Sequence, residues 1–315
     1  MKKSILAIAV AATMAAPAAM AAPTVYGNVH LSIVDLDSLN NLVMTSNTSA
    51  VGVKGSEDLG DGLKAIYKVE FQLDATGSSG NGDALTQRDV FAGVKGGMGT
   101  IKLGAMSSNY KQKGGKVDSL YRTPVEGRGF LDTQSSLHNG RAINRGRMTN
   151  QLQYSSPKMG GVQLVANTTF SNSDDETIGV GVRYETKGIL AFADYIDAQP
   201  LTGGAGTETA FKIGGKYSAK AFHVAGQYEA AEDVTGFDFI HVNAGFNINA
   251  NNSIQVTAGT ATHITAGALD TTSFAVAYVH SLSKMTMLYA AYGDKSSDTA
   301  ASEESAFALG IRKKF

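Results

Sequence analysis

The side chains that could carry chemistry are scattered along this 315-residue sequence and not gathered into motifs. There is no His-Glu-x-x-His, no Gly-x-Ser-x-Gly and no Gly-x-x-x-x-Gly-Lys-Ser/Thr, so zinc hydrolysis, a serine nucleophile elbow and a phosphate loop all lack their spacing. His30, His138, His223, His241, His263 and His280 are dispersed and give no metal-ligand spacing. The absence of cysteine excludes a disulfide framework, a thiolate nucleophile and a Cys-ligated metal. No metal, cofactor or catalytic residue is therefore expected. Ser173-Asp174-Asp175-Glu176 could hold a divalent ion, or lipopolysaccharide bridged by one, but reads more simply as a solvated loop tip. What remains is charge. The 39 residues from Ser108 to Gly146 carry Lys111, Lys113, Lys116, Arg122, Arg128, Arg141 and Arg145 against Asp118, Glu126 and Asp132. Lys54, Lys64, Lys68 and Lys102 recur on one parity of strand-like sequence. Charges arrayed this way steer and select ions; they do not make bonds.

The elements that must position those charges have a period of two. Leu63, Ala65, Tyr67, Val69, Phe71 and Leu73 are apolar, and their neighbours are polar apart from Ile66. Phe222, Val224, Gly226 and Tyr228 repeat the pattern, as do Ile240 to Ile248 and Phe307, Leu309 and Ile311. Successive side chains of a strand point to opposite faces, so each run is a half-polar strand. Short turns such as Leu59-Gly60-Asp61-Gly62 and Gly96-Gly97-Met98-Gly99 alternate with longer polar connections such as 36–47, 74–85 and 262–270. Counting between them gives about sixteen strands from Thr24 to Phe315 in a meander without a domain break.

Such a meander closes either as a soluble barrel or as a membrane one. A soluble sixteen-stranded barrel would have an interior too wide for side chains to fill. Here one face of the strands carries Lys, Glu, Gln, Asn and His, which suits water, and the other Tyr, Phe, Val and Leu, which suits lipid. The fold expected is an all-β, transmembrane, antiparallel up-and-down barrel. The mean hydropathy of −0.08 agrees, since half of every strand is polar. Ahead of the barrel, Lys2 and Lys3, an apolar stretch from Ile5 to Ala16, Pro17 and Ala19-Met20-Ala21 form a cleavable secretory signal, residues 1–21. Residues 22–315 are then the barrel. No later stretch has the ~18 consecutive apolar residues of a transmembrane helix. With 27 Lys and Arg against 28 Asp and Glu, nothing points to nucleic acid as a partner. The 39-residue connection is too long to lack a role. Its basic residues and the bends at Pro124, Gly127 and Gly129 suggest a third loop folded into the lumen.

Several stretches are similar to the Gram-negative general porins, a family of trimeric sixteen-stranded diffusion channels. Val25-Tyr26-Gly27 resembles their first strand, and the run from Ser49 to Ala65 resembles their most diagnostic segment. The segments from Gln87 to Gly96, from Asn150 to Pro157 and from Tyr278 to Tyr289 are also similar, as is the ending Gly310-Ile311-Arg312-Lys313-Lys314-Phe315. The resemblance implies a homotrimer of the Gram-negative outer membrane, in contact with its lipid and lipopolysaccharide. It implies insertion by the barrel-assembly machinery, which reads the terminal aromatic Phe315, and passage of ions and small hydrophilic solutes. It also carries over a pore constriction. Arg88 and Arg147 take the place of wall arginines, Arg147 by its spacing from Tyr154; a further family arginine falls on Ala50. Glu126, with Asp118 and Asp132, takes the place of the opposing loop carboxylates, and Lys54, Lys64, Lys68 and Lys102 are pore-lining.

Two other function classes make different demands on the sequence. An adhesin or receptor barrel would need large external loops, whereas the longest connection resembles the inward one. An outer-membrane enzyme would need a nucleophile and base in a recognisable context. For the channel, the lumen lysines and the net +4 of the third loop predict a mild anion preference; acids such as Asp37, Asp83, Asp174, Asp175 and Glu176 favour the opposite. A face formed by Val51, Val53, Phe91 and Gly93 on one outward parity is expected to carry the subunit contact.

Overall fold

The computed structural model describes residues 22–78, 84–139, 146–170, 176–198, 208–263, 270–297 and 303–315. The leader of residues 1–21, together with Asp83, Arg141, Arg145, Asp174 and Asp175, lies outside them. Seventeen strand segments make one antiparallel sheet. They are β1 (Thr24–Leu36), β2 (Val43–Ser46), β3 (Ala50–Gly60), β4 (Leu63–Leu73), β5 (Leu85–Gly96), β6 (Gly99–Ser107), β7 (Arg147–Ser155), β8 (Val162–Thr169) and β9 (Ile178–Thr186). The second half holds β10 (Ile189–Ala198), β11 (Glu208–Ser218), β12 (Phe222–Ala231), β13 (Phe237–Asn247), β14 (Asn252–His263), β15 (Thr271–Ser283), β16 (Thr286–Ser297) and β17 (Glu304–Lys314).

The sheet closes on itself, because β1 pairs β17 from Asn28↔Lys314 to Leu36↔Ala306. The other edge of β1 meets β2 at Leu31↔Ser46 and β3 at Thr24↔Lys54. Segments β2 and β3 are thus one wall strand interrupted at residues 47–49, where Thr48 has φ +58°. The wall therefore has the sixteen strands expected, and closure leaves no backbone edge to face hydrocarbon. The expected 36–47 connection is shorter than the sequence suggested, since Val43–Ser46 already pairs with β1.

The alternation emerges as expected along most strands. Ile213, Val224, Ile240, Val242, Phe246, Phe307, Leu309 and Ile311 are exposed on the outside, while Gln227, Glu229, His241, Asn243 and Ala308 are buried on the other face. An exposed apolar belt of this extent belongs against lipid. The inner face is not uniformly polar. On β14–β17 it presents Ala261, Ala275, Ala277, Ala291, Ala306 and Ala308, all buried.

What buries them is the connection after β6. It begins with Ser108, whose Oγ accepts from Lys111 N at 3.1 Å and caps a short helix, α1 (Asn109–Gly114). Leu120, Val125 and Leu131 then pack against Ala275, Ala277, Tyr289, Ala291 and Ala306, and Tyr110 and Leu137 against Ile196, Ala210, Phe239 and Ala261. Each such buried aliphatic side chain contributes about 1.5–3 kcal/mol. A Cβ at Gly293 would sit 2.8 Å from Val125, so the wall is kept small where the connection presses closest.

Candidate functional site

The charged site is organised by an irregularity in the β4–β5 ladder. Val69 faces Val90 and Phe71 faces Gln87, so Glu70 alone is opposed by two residues, Arg88 and Asp89. A two-against-one bulge turns both extra side chains towards the same neighbourhood. Arg88 Nε donates to Glu70 Oε1 at 2.7 Å, and its guanidinium also reaches Gln72 Oε1 at 3.1 Å. Lys68 Nζ lies 3.0 Å from Glu70 and 2.9 Å from Asp89. Arg147, the first residue of β7, donates to Asp89 Oδ1 at 2.8 Å. Tyr26 OH completes the row by donating to Glu70 Oε2 at 2.8 Å. Signs alternate along it: Arg88, Glu70, Lys68, Asp89, Arg147. Each carboxylate holds two cations apart and in place.

The same bulge corrects the expected subunit face. Beyond it the parity of β5 is inverted, so Phe91 pairs with Lys68 and Gly93 with Lys102, on the inner side. Phe91 lies under the Lys102 ammonium at 5.2 Å, and Lys102 also donates to Gln153 Oε1 at 2.7 Å. Val51 and Val53 keep the outward parity and face Phe71 and Val69 across β4.

Arg88, Arg147, Lys68 and Lys102 line one open cavity of about 560 Å³ with Lys111, Lys116 and Arg122 of the long connection and Arg312 and Lys314 of β17. These nine basic side chains share the cavity with two carboxylates, Glu70 and Asp89. Lys111 Nζ donates to His138 O at 2.7 Å, and burial, reinforced by the guanidinium groups of Arg128, Arg147 and Arg88, pushes its ammonium down to about 6. Lys54 and Lys64 are exposed and do not line this cavity; Lys54 packs 5.0 Å over the Tyr26 ring. Ala50 is buried beside Gln72 and Asn28 in the ladder, and adds no charge.

The structure does not bring the three loop carboxylates to the wall arginines. Glu126 accepts from Arg128 Nε at 2.9 Å and from the Arg122 backbone N at 2.7 Å. Asp118 accepts from Leu120 N at 2.8 Å and Gly127 N at 2.9 Å, and burial pushes its carboxyl up to about 6 against those two donors. Asp132 is half exposed and pairs with Lys295 at 3.1 Å. Glu126 and Asp118 hold the connection in shape, since it is turn-rich and its backbone donors need acceptors nearby, whereas Asp132 ties it to β16.

Sequence reasoning missed the residues that fasten the connection. Glu229 of β12, fully buried, accepts from Tyr110 OH at 3.1 Å and Ser135 Oγ at 2.5 Å, and its other oxygen lies 3.0 Å from His138 Nε2. Asp194 of β10 accepts from Asn109 Nδ2 at 3.2 Å and lies 3.6 Å from Arg183. Lys212 donates to the Tyr110 carbonyl, Thr133 meets His241 Nδ1 at 2.8 Å, and Ser273 donates to the Leu131 carbonyl at 2.7 Å. Asp194 interrupts the apolar row of Phe192, Ile196 and Ala198 and so carries a signal, but Glu229 stands in a polar row with His223 and Gln227, which reads the same whether it faces water or a second chain segment. Among the described residues no cluster of potential metal ligands occurs.

Residues 7–300 match the family model described as Gram-negative porin. A major outer membrane protein P.IB of Neisseria gonorrhoeae is 31% identical over 206 residues, covering 61% of this chain and 56% of that protein. The chain thus spans a little over half the length of such relatives. A monosaccharide porin of a Halomonas species is 25% identical over 262 residues, 73% of this chain and 67% of the relative. Among solved structures, an anion-selective porin from Comamonas acidovorans superposes with a TM-score of 0.80 at 20% identity, covering 93% of this chain and 99% of that one. The trimer form of OmpT from Vibrio cholerae gives 0.70 at 16% identity, covering 93% and 99%.

Proposed function

Because this chain belongs to the Gram-negative porin family, a family of outer-membrane barrels that are not enzymes, we propose that it forms a water-filled channel for ions and small hydrophilic solutes. The long connection is folded across the interior as a constriction, and the constricted section prefers anions. Arg88, Arg147, Lys68 and Lys102 act from the wall, and Lys54 and Lys64 at the short-turn rim. Residues 1–21 serve as a cleaved export signal.

The observation that carries this reading is the imbalance of nine basic to two acidic side chains around one open cavity. Low-dielectric walls focus the field of such a lining, raising the local concentration of anions and lowering that of cations. Screening over about 8 Å at physiological ionic strength confines the effect to the narrow section. In planar bilayers the purified protein should give stepwise conductance, and a potassium chloride gradient should give a zero-current potential on the chloride side that shrinks as salt rises. A potential on the potassium side would refute the anion preference, and an absence of steps would refute the channel.

We also propose a homotrimer, supported by the trimer form of a structural neighbour and by the small outward face of Val51 and Val53. An unheated sample should migrate near three times the monomer mass and collapse to one on boiling; a single monomeric band before heating would count against it. Membrane lipid and lipopolysaccharide surround it, and Phe315 is the signal to the assembly machinery. Its support is exposure: the backbone of Phe315 pairs with Gly27 in both directions, at 3.0 and 3.1 Å, while the ring stays half exposed at the seam.

A further inference from the structure

We infer that Arg122, Arg312 and Lys314 form a resting site for a multivalent oxyanion of the phosphate class, separate from the Arg88–Arg147 row. The inference rests on the reading of the chain as an anion-preferring channel and adds a discrete place where a particular anion stops.

The three cations converge from two directions. Arg312 and Lys314 are two residues apart on the inner face of β17, opposite His30 and Asn28 of β1, near the short-turn end of the strand. Arg122 comes from the long connection, and all three line the same cavity. Arg312 and Lys314 also line the adjoining open space of about 510 Å³ by the short turns, beside Lys284 and Asn251. They therefore stand at the passage between the two spaces.

Their lack of counter-charge sets them apart from the Arg88–Arg147 row. Lys68, Arg88 and Arg147 each contact a carboxylate within 3.0 Å. Among the described residues, Arg122, Arg312 and Lys314 have no ion pair. Among the described residues, the Arg312 guanidinium donates only to Met287 Sδ, at 3.2 Å, which is a weak acceptor. Arg122 Nε is buried without any hydrogen-bond partner. A buried donor left unmade is costly, and charged donors most of all. Arg122 is moreover held at φ +69°, a conformation L residues rarely adopt, with its backbone N fixed on Glu126 Oε2 at 2.7 Å. Strain of this kind gathers where a side chain must be aimed at a ligand.

The donor set selects the ligand chemistry. Two guanidinium forks and one ammonium offer planar pairs and a point charge, which suit the several oxygens of one tetrahedral anion. Chloride can neutralise one of the three charges and cannot bridge the forks. Hydrogen phosphate brings two negative charges and four oxygens, and an oxyanion of that class satisfies all three donors together.

The test is chloride current through the full-length protein in planar bilayers, with inorganic phosphate added at constant ionic strength. Phosphate should reduce wild-type current saturably, and the half-blocking concentration should rise at least tenfold in Arg122→Gln and in Arg312→Gln. Arg122 lies outside the ladder, so that variant remains informative if Arg312→Gln fails to insert. Lys158→Gln, which removes a charge from an exposed turn, should leave the half-blocking concentration unchanged. Block that grows linearly with phosphate in wild type, or an equal half-blocking concentration in the Arg122 variant, overturns the site. The zero-current potential in a chloride gradient, measured on the same channels, separates the two failures. Anion preference without saturable block removes only the site, whereas absence of anion preference removes the underlying reading and the site with it.

Discussion

Replacing Glu229 by leucine should detach the third connection from the wall while leaving the barrel closed. Glu229 is fully buried and is the shared acceptor for Tyr110, Ser135 and His138, with Gln227 also donating to it. Its removal leaves those donors unmade and leaves buried Lys212 with Asp194, at 3.9 Å, as its remaining carboxylate. A buried donor left without its acceptor costs about 1–3 kcal/mol, and three in the connection lose theirs here. That is comparable to what two of the connection's buried aliphatic side chains supply, at about 1.5–3 kcal/mol each. The β-ladder itself loses no backbone bond, so the cost falls on the connection. Single channels of Glu229→Leu should show larger and noisier conductance, and the trypsin sites at Lys111, Lys113 and Arg122 should become cleavable in detergent. Wild-type conductance with wild-type trypsin resistance would show that the anchoring lies elsewhere.

Asp89→Asn and Arg147→Ala should move ion preference in opposite directions. Asp89 restrains Lys68 at 2.9 Å and Arg147 at 2.8 Å, and is one of two carboxylates facing the cavity. Neutralising it adds one net positive charge and frees two cations; truncating Arg147 subtracts one. A unit charge roughly 6 Å from a passing ion in water-like dielectric is worth about 0.7 kcal/mol, or about threefold in relative permeability. Zero-current potentials should therefore place Asp89→Asn on the anion side of wild type and Arg147→Ala on the cation side. Glu126→Gln should have little direct effect on the field, because that carboxylate is occupied by Arg128 and the Arg122 backbone. Equal potentials for wild type, Asp89→Asn and Arg147→Ala would mean that the β4–β5–β7 row does not border the ion path.

The barrel was legible because its cause is local and repeated. Every strand must hide one face from water and pair both edges, so a period of two with alternating short and long connections fixes strand number and closure together. The exceptions are places where one residue changes the count. The extra residue at Arg88–Asp89 inverts everything after it on β5, which is why Phe91 and Gly93 lie inside and why Asp89 was not anticipated. The interruption at residues 47–49 likewise hides a strand inside a stretch that reads as loop. The carboxylates of the long connection were legible as acids but not in their partners, since Glu126 and Asp118 answer backbone donors that exist only once the turns have formed. The fastening by Asp194, Lys212 and Glu229 depends on contacts 85 to 119 residues apart in sequence, beyond the reach of spacing.

The inward alanines of β14–β17 have a geometric consequence. A wall lined with methyl groups gives the connection a shallow bed on that arc, and the cation-rich cavity lies against β1, β4–β7 and β17. A conduit that followed this cavity would be eccentric, its centre line set off from the axis of the cylinder towards the charged arc. In a ring of identical copies the conduits would therefore sit at a different spacing from the barrels that house them, and that offset is set by alanine side chains and not by strand number.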